Sequence, residues 1–291
     1  MSKLAYEKLI KKSLKSRIPS YESDINYYWD AKFFGLDQVD AFKVLNLEQQ
    51  SKALQNCSQS LLAEGIHIEN RGIDLTSFMI SKSNVMEEKH IYSLINADEI
   101  EHYYLLSRFL FQEIYPENEN AFIVLLKECI NSADSYMMVF FLQVILEGWG
   151  MSYYNLLGKG CLDLELKKSI DRIIFDESSH HGTGLVYYKQ HDQQSRKQLD
   201  MMTDLLATFL HMLRVGPQTI VGHLEREHGG LSAIQREMIF QQMNSYTDTQ
   251  WRLDNIKKLL RHDLSNTLIT RLEKLDLFKA MNPGECARMS I

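Results

Sequence analysis

Glu99 and His102 stand three residues apart, and Glu177 and His180 repeat that spacing. On a helix it sets both side chains on one face, so each pair can grip a metal ion from a single turn. Glu147 precedes Glu177 by 30 residues and closes an apolar run, where an unpaired carboxylate is costly and a cation would supply its partner. Two carboxylates compete for the equivalent place before Glu99: Glu64, 35 residues back, and Glu69, 30 residues back. With a rise of about 1.5 Å per residue, a helix, a turn and a returning helix bring either one level with Glu99. The midpoint of Glu64 and Glu99 falls in the polar stretch Ser81-Lys82-Ser83-Asn84, which favours Glu64. Glu69 shares the 30-residue spacing of Glu147 and Glu177, and Gly65 and Gly72 on neighbouring turns make room beside it. The two remain open.

One carboxylate from each of two helices and Glu-x-x-His from each of two others is a donor set for a pair of metal ions. Four carboxylates and two imidazoles suit iron or manganese, whereas structural zinc takes fewer and softer ligands. The candidate metal ligands are therefore Glu64 or Glu69, Glu99, His102, Glu147, Glu177 and His180, with Glu99, Glu147 and Glu177 as candidate catalytic carboxylates. A lone Glu-x-x-His arises by chance on many helices. Two copies, each preceded by a carboxylate at hairpin distance, carry the reading.

Other polar residues have plainer expected roles. His67, three after Glu64, makes a third Glu-x-x-His and reads as a satisfied core histidine or a partner behind a ligand, ahead of an extra ligand; His181, about 100 degrees round the helix from His180, reads as bonding another side chain or facing solvent. Tyr92 and Tyr154, seven residues from Glu99 and Glu147, share the ligand faces, where they pass electrons, bound a pocket or, as is commoner, serve as core packing. Gly182-Thr183-Gly184 leaves either a space beside the metals or a close helix contact, and His223, Glu227 and His228 read as a polar helix end, ahead of a metal pair from the four-residue spacing of His223 and Glu227.

The elements that must position these groups are helical. Only 4 prolines and 14 glycines interrupt a chain rich in Leu, Ile and Met, which favours long helices. Residues 3–16 predict an amphipathic helix, ended near Ile18-Pro19-Ser20, and 21–34 a short aromatic helix across the bundle. Leu47, Leu54, Leu61, Ile68 and Leu75 recur every seven residues on one long helix, with Gly72 a candidate interruption. Helices are expected at 85–114, closed by Tyr115-Pro116-Glu117-Asn118, and at 121–131, 135–157 and 162–194, with a corner at Gly158-Lys159-Gly160. Further helices follow: 199–213, one after Pro217, 231–243, and a charged C-terminal pair. The expected organisation is 1–36 as N-terminal helices packed on the bundle, 37–195 as a four-helix core, and 196–291 as helices covering it or making an oligomer contact.

A net charge of -6 gives no basic field for nucleic acid, and the basic run from Lys3 to Arg17 reads as a solvated helix face. Cys57, Cys129, Cys161 and Cys286 form no Cys-x-x-Cys pair, so neither a disulfide framework nor a thiolate zinc site is expected, and a reducing cytoplasm is the expected setting. The first residues lack the pattern of a secretory signal, and the apolar runs fall short of the roughly 20 residues of a membrane span. No flavin or pyridine-nucleotide fingerprint and no iron–sulfur cysteine cluster is present.

The run from Leu146-Glu147-Gly148 to Ile174-Phe175-Asp176-Glu177-Ser178-Ser179-His180 resembles the second ligand helix pair of the ferritin-like di-iron carboxylate superfamily. That superfamily includes the ribonucleotide reductase small subunit, rubrerythrin, aldehyde-deformylating oxygenase and arylamine N-oxygenases. The resemblance covers about residues 40–200 and implies an all-α, ferritin-like four-helix bundle core with additional N- and C-terminal helices. It also implies two iron ions, or manganese with iron, O2 as co-substrate, and Asp176 as an outer carboxylate bonded to a ligand histidine such as His102. Leu106 stands where the reductase subunit has its radical tyrosine, and Ile173 where the N-oxygenases have an extra histidine. The six-ligand set of the aldehyde-deformylating enzymes agrees better.

The expected function is an O2-activating non-haem di-iron oxidase or oxygenase acting on a small, largely apolar organic substrate, such as a fatty-acid-like or amine-bearing compound. Hydroxylation, N-oxygenation, desaturation and carbon–carbon cleavage all fit, with electrons from an external ferredoxin or reductase. The alternatives are a ferritin-like iron-binding or ferroxidase protein and a non-enzymatic helical interaction protein. A homodimer is weakly suggested by the extra helices.

Overall fold

The computed structural model of the chain describes residues 3–14, 18, 21, 25–111, 121–131, 135–263 and 266–289. Among them there are helices and turns and no strand. The proposed stops at Pro19-Ser20 and at Tyr115-Pro116-Glu117-Asn118 lie outside the described residues, as do 112–114, while the helix expected over 85–114 already ends at Ser107 and gives way to a turn at 108–109.

Helix α1 (Lys3–Leu14) leads in, with Lys8 and Lys12 exposed. A single turn, α2 (Asp40–Lys43), precedes the 36-residue α3 (Leu47–Lys82). Asn46 starts α3 with a capping box: its side chain accepts from the Gln49 amide while Gln49 returns the bond. Ser83 turns extended, and α4 (Met86–Ser107) begins three residues on, so α3 and α4 form an antiparallel pair.

After α5 (Ala121–Asn131), one long apolar rod is built from α6 (Ser135–Met138), a π-helical stretch (Val139–Glu147) and α7 (Gly148–Gly160). Asp163 then caps α8 (Leu164–Gln190) by accepting from the amides of Glu165 and Leu166, and α8 returns along the rod. The two antiparallel pairs make a four-helix core. Chain 192–288 adds α9 (Asp192–Lys197), α10 (Leu199–Arg214), α11 (Gln218–His228), α12 (Ala233–Gln242), α13 (Ser245–Asp263), α14 (Asn266–Lys274) and α15 (Pro283–Arg288).

Two apolar clusters sit at opposite ends of this core. One joins Leu75, Tyr92, Ile95, Phe140, Phe141 and Ile145 to Phe209 of α10, Leu253 of α13 and Leu272 of α14. The other joins Leu54, Leu62, Leu106, Leu157, Ile170 and Ile173 to Tyr28, Trp29, Val221 of α11 and Phe240 of α12. On each of the four long helices the candidate ligands lie between the two clusters, so burial at both ends holds a polar layer in the middle.

Several expectations need correction. Residues 25–39 form turns, not a short helix. Asp30 accepts from the Phe33 amide, Gly35 turns at φ 70°, and Tyr28 and Trp29 reach inward to bond the carbonyls of Phe109 and Leu157. Helix α3 begins at Leu47 and runs unbroken through Gly72, because neighbouring packing outweighs the roughly 1 kcal/mol a helical glycine costs. Leu54 and Leu75 of the seven-residue stripe are buried, whereas Leu47 is exposed at the helix end. The corner comes at 161–163 instead of 158–160, since Gly158 and Gly160 complete a helical turn against Ile170 and Phe33.

Candidate metal centre

The bundle brings together one carboxylate from α3, Glu99 and His102 from α4, Glu147 from the end of the π stretch, and Glu177 and His180 from α8. Donor atoms of Glu69, Glu99, His102 and Glu177 lie within 4.8 Å of one another, and so do those of Glu99, Glu147 and His180. Glu99 belongs to both groups. Glu177 also faces both histidines, with Oε1 3.5 Å from His102 Nδ1 and Oε2 3.7 Å from His180 Nδ1. Two carboxylates therefore stand between two positions that could each hold a metal ion, with Glu69 and Glu147 on the outer sides.

Of the two α3 candidates, Glu69 enters the cluster. Glu64 lies on the wall of the adjoining cavity. The turn between α3 and α4 covers residues 83–85, and residue 84 is the midpoint of 69 and 99. His67 joins neither group.

The histidines are oriented alike. His102 turns Nδ1 inward, 3.2 Å from Glu69 Oε2, and Nε2 outward, 3.1 Å from Asp176 Oδ2. His180 turns Nδ1 inward, 3.3 Å from Glu99 Oε1, and Nε2 outward, 3.5 Å from Asp98 Oδ2. Each aspartate directly precedes the glutamate of the opposite motif. Asp176 was foreseen; Asp98 was missed, although Asp-Glu-x-x-His is spelled twice in the chain. An Nε2–H held by a carboxylate presents the Nδ1 lone pair to a metal. Glu101, between Glu99 and His102, is buried and paired with Arg172 of α8.

The donor set fits a pair of cations. Glu147 Oε2 and His180 Nδ1 are buried with no aligned hydrogen-bond partner among the described residues, and an ion in the cluster would satisfy both. Protons otherwise do that work. Burial, with Glu177 and Glu69 nearby, raises Glu99 to about 8, and burial drives Glu147 well above the carboxylate range. Burial also opposes charge on the other groups but is outweighed: bonds to His102 and His180 hold Glu177 at about 2, and the carboxylates lift His180 to about 11 and His102 well above 6.5.

Three further groups brace the layer. Tyr154, on the ligand face and on the wall of the adjoining cavity, donates its hydroxyl to Glu69 Oε1 at 2.7 Å. Gly72 gives the Glu99 carboxylate its space, because a Cβ there would overlap it. The π-helical stretch before Glu147 was not anticipated, and it is clamped from two sides. Tyr92 donates to Gln143 Oε1 at 3.1 Å, and His181, expected to reach a side chain or solvent, instead lies 3.1 Å by Nδ1 from the Gln143 carbonyl. Gly184 makes a close helix contact, since a Cβ there would fall 2.6 Å from Gln143 Cβ, whereas Gly182 faces open space. Away from the cluster, His223 bonds Ser60 at 2.7 Å, burial and Arg226 hold it down at about 4, and it joins no group of potential metal ligands among the described residues.

A cavity with an open mouth adjoins the cluster. Glu69, Glu99, Glu147 and Glu177 form part of its wall; Leu61, Ile68, Leu126, Leu142, Leu146 and Leu157 supply much of the rest. The bundle and its carboxylate and histidine groups are consistent with a ferritin-like di-iron superfamily fold and single out no member of it. Among the described residues no helix is long and apolar enough to cross a membrane. No family model, no curated protein and no solved structure matches this chain.

Proposed function

We propose that this chain is a non-haem di-iron oxidase or oxygenase that uses O2 on a small, largely apolar organic compound. The observation that carries the reading is the placement of Glu99 and Glu177 between two inward-facing imidazoles on the wall of an apolar cavity. In this reading Glu69 and His102 would hold one ion and Glu147 and His180 the other, with Glu99 and Glu177 within reach of both. Two iron ions, or manganese and iron, supply the electrons and Lewis acidity that activate O2.

The remaining steps belong to the protein. Asp176 and Asp98 hold the imidazoles in one orientation, and Tyr154 holds the outer oxygen of Glu69. Four carboxylates offset the charge of two divalent ions, so the pair can sit in a buried layer without a net charge. The leucine-rich wall limits water beside the reacting atoms and accepts an apolar body. Electrons for repeated turnover come from an external ferredoxin or reductase. Hydroxylation, desaturation, N-oxygenation and carbon–carbon cleavage are all served by this arrangement.

The test is the metal content of protein loaded with Fe(II) without oxygen, measured beside Glu177→Ala, followed by O2 uptake. About two irons per chain, lost in the variant, with O2 uptake sustained by reductant, is the expected result. Wild-type protein that folds and retains no iron would overturn the reading.

A further inference from the structure

The cavity wall is apolar apart from the cluster, two tyrosines and two charged side chains of α3, Glu64 and Arg71. These two charges differ. Glu64 has interactions of its own and raises the neighbouring Tyr153 hydroxyl, after burial, away from ionisation. Arg71 pairs through one terminal nitrogen with Asp74 at 3.0 Å, while its Nε is buried with no hydrogen-bond partner among the described residues. A guanidinium presents its N–H groups as a rigid fork, and a buried N–H left unmatched costs free energy until an acceptor arrives. The acceptor that fits the fork best is a carboxylate, which takes two parallel bonds.

The rest of the wall says what hangs from that carboxylate. Arg71, Ile68, Gly65 and Leu61 follow one face of α3, with Leu142 and Leu126 near the Arg71 end and Leu157 and Tyr153 near the other. From Arg71 to Leu61 is ten residues, about 15 Å of helix, the reach of a saturated chain of roughly a dozen carbons. Glu69 and Glu99 stand beside this track, two residues and one contact away from Arg71.

We propose that the cavity takes a straight-chain carboxylate, its head held by Arg71 and its chain laid along α3 toward Leu61 and Leu157. The assignment rests on the di-iron reading for its chemistry and names the substrate class of that site. It places the carbons nearest the head closest to the carboxylate layer. An amine-bearing chain would instead seek Glu64.

Calorimetric titration with decanoate, decanol and decylamine tests it, using full-length protein both metal-free and loaded with redox-inert Zn(II). Decanoate is expected to bind about tenfold or more tighter than decanol, with decylamine weaker than either. In Arg71→Met the decanoate advantage falls to about unity while decanol binding stays unchanged, an outcome general loosening of the cavity would not produce. Equal affinity for decanoate and decanol in the wild type, a preference for decylamine, or a preference that survives in Arg71→Met would each overturn the proposal. Should that variant not fold, Asp74→Asn, which frees a second donor of Arg71, is expected to tighten decanoate alone; no change would overturn it. Iron content is read separately. Selective decanoate binding without iron uptake would sink the di-iron reading and keep the Arg71 site, and two irons without selectivity would do the reverse.

Discussion

The carboxylate of Glu99 fills the space in which a side chain on residue 72 would begin, so the glycine on α3 and the glutamate on α4 act as lock and recess. In Gly72→Ala the new methyl displaces a flexible carboxylate without striking the backbone. Alanine is about 1 kcal/mol better than glycine in a helix interior. The metal-free variant is thus expected to melt at or above the wild-type temperature while Fe(II) binding falls to one ion or fewer. Unchanged iron content would show that Glu99 can serve from another rotamer.

Asp176 and Asp98 allow the two ions to be addressed one at a time. Asp176→Asn removes the carboxylate behind His102, and Asp98→Asn the one behind His180. Such partners are worth roughly ten- to a hundredfold in metal affinity. A two-step metal titration is expected to show one step weakened in each variant. The Asp176 effect should be the larger, because its contact is shorter and its side chain 21% exposed against 39% for Asp98.

Glu99 sits near 8 in the metal-free fold and His180 near 11, both above their unfolded values. Groups raised in this way hold more protons folded than unfolded, so their contribution is full below the unfolded values and is lost as pH rises through the folded ones. Metal-free protein is expected to melt lower at pH 9 than at pH 7. Loading with Zn(II) must expel these protons, so calorimetry in buffers of different ionisation enthalpy should show more than one proton released per chain at pH 7. Binding with no proton release would contradict the buried, proton-filled layer.

Tyr154→Phe leaves the buried Glu69 Oε1 without its hydroxyl donor at a cost of about 1–3 kcal/mol. Metal-free protein should lose about that much stability in denaturant titration. Two ions should still bind, with the weaker step belonging to the Glu69 position. Full loss of stability with metal present would mean the hydroxyl matters more than the ion to Glu69.

The helical class and five of the clustered residues were readable because three-residue spacing and an apolar run are local facts. Glu64 and Glu69 could not be separated in that way. Their choice depends on where α3 stops, and Ser83 turned extended two residues beyond the expected start of the turn. The π winding before Glu147 carries no glycine or proline to mark it; it arises where Gly184 lets α8 press on Gln143. Tyr154 and Arg71 gained their places from partners 85 residues away and from an open cavity, neither of which periodicity reveals.

The crossed aspartates bear on the order in which the chain is made. His102 and its Asp176 are separated by 74 residues, and the Glu177 beside that aspartate comes later still. A nascent chain that has reached only α4 carries Glu69, Glu99 and His102 but lacks every group that α8 contributes. Synthesis proceeds from the N-terminus, so neither ion can be fully enclosed until α8 has emerged and docked. A chain that stops short of α8 is therefore left with an unfinished donor set that lacks Glu177 and His180.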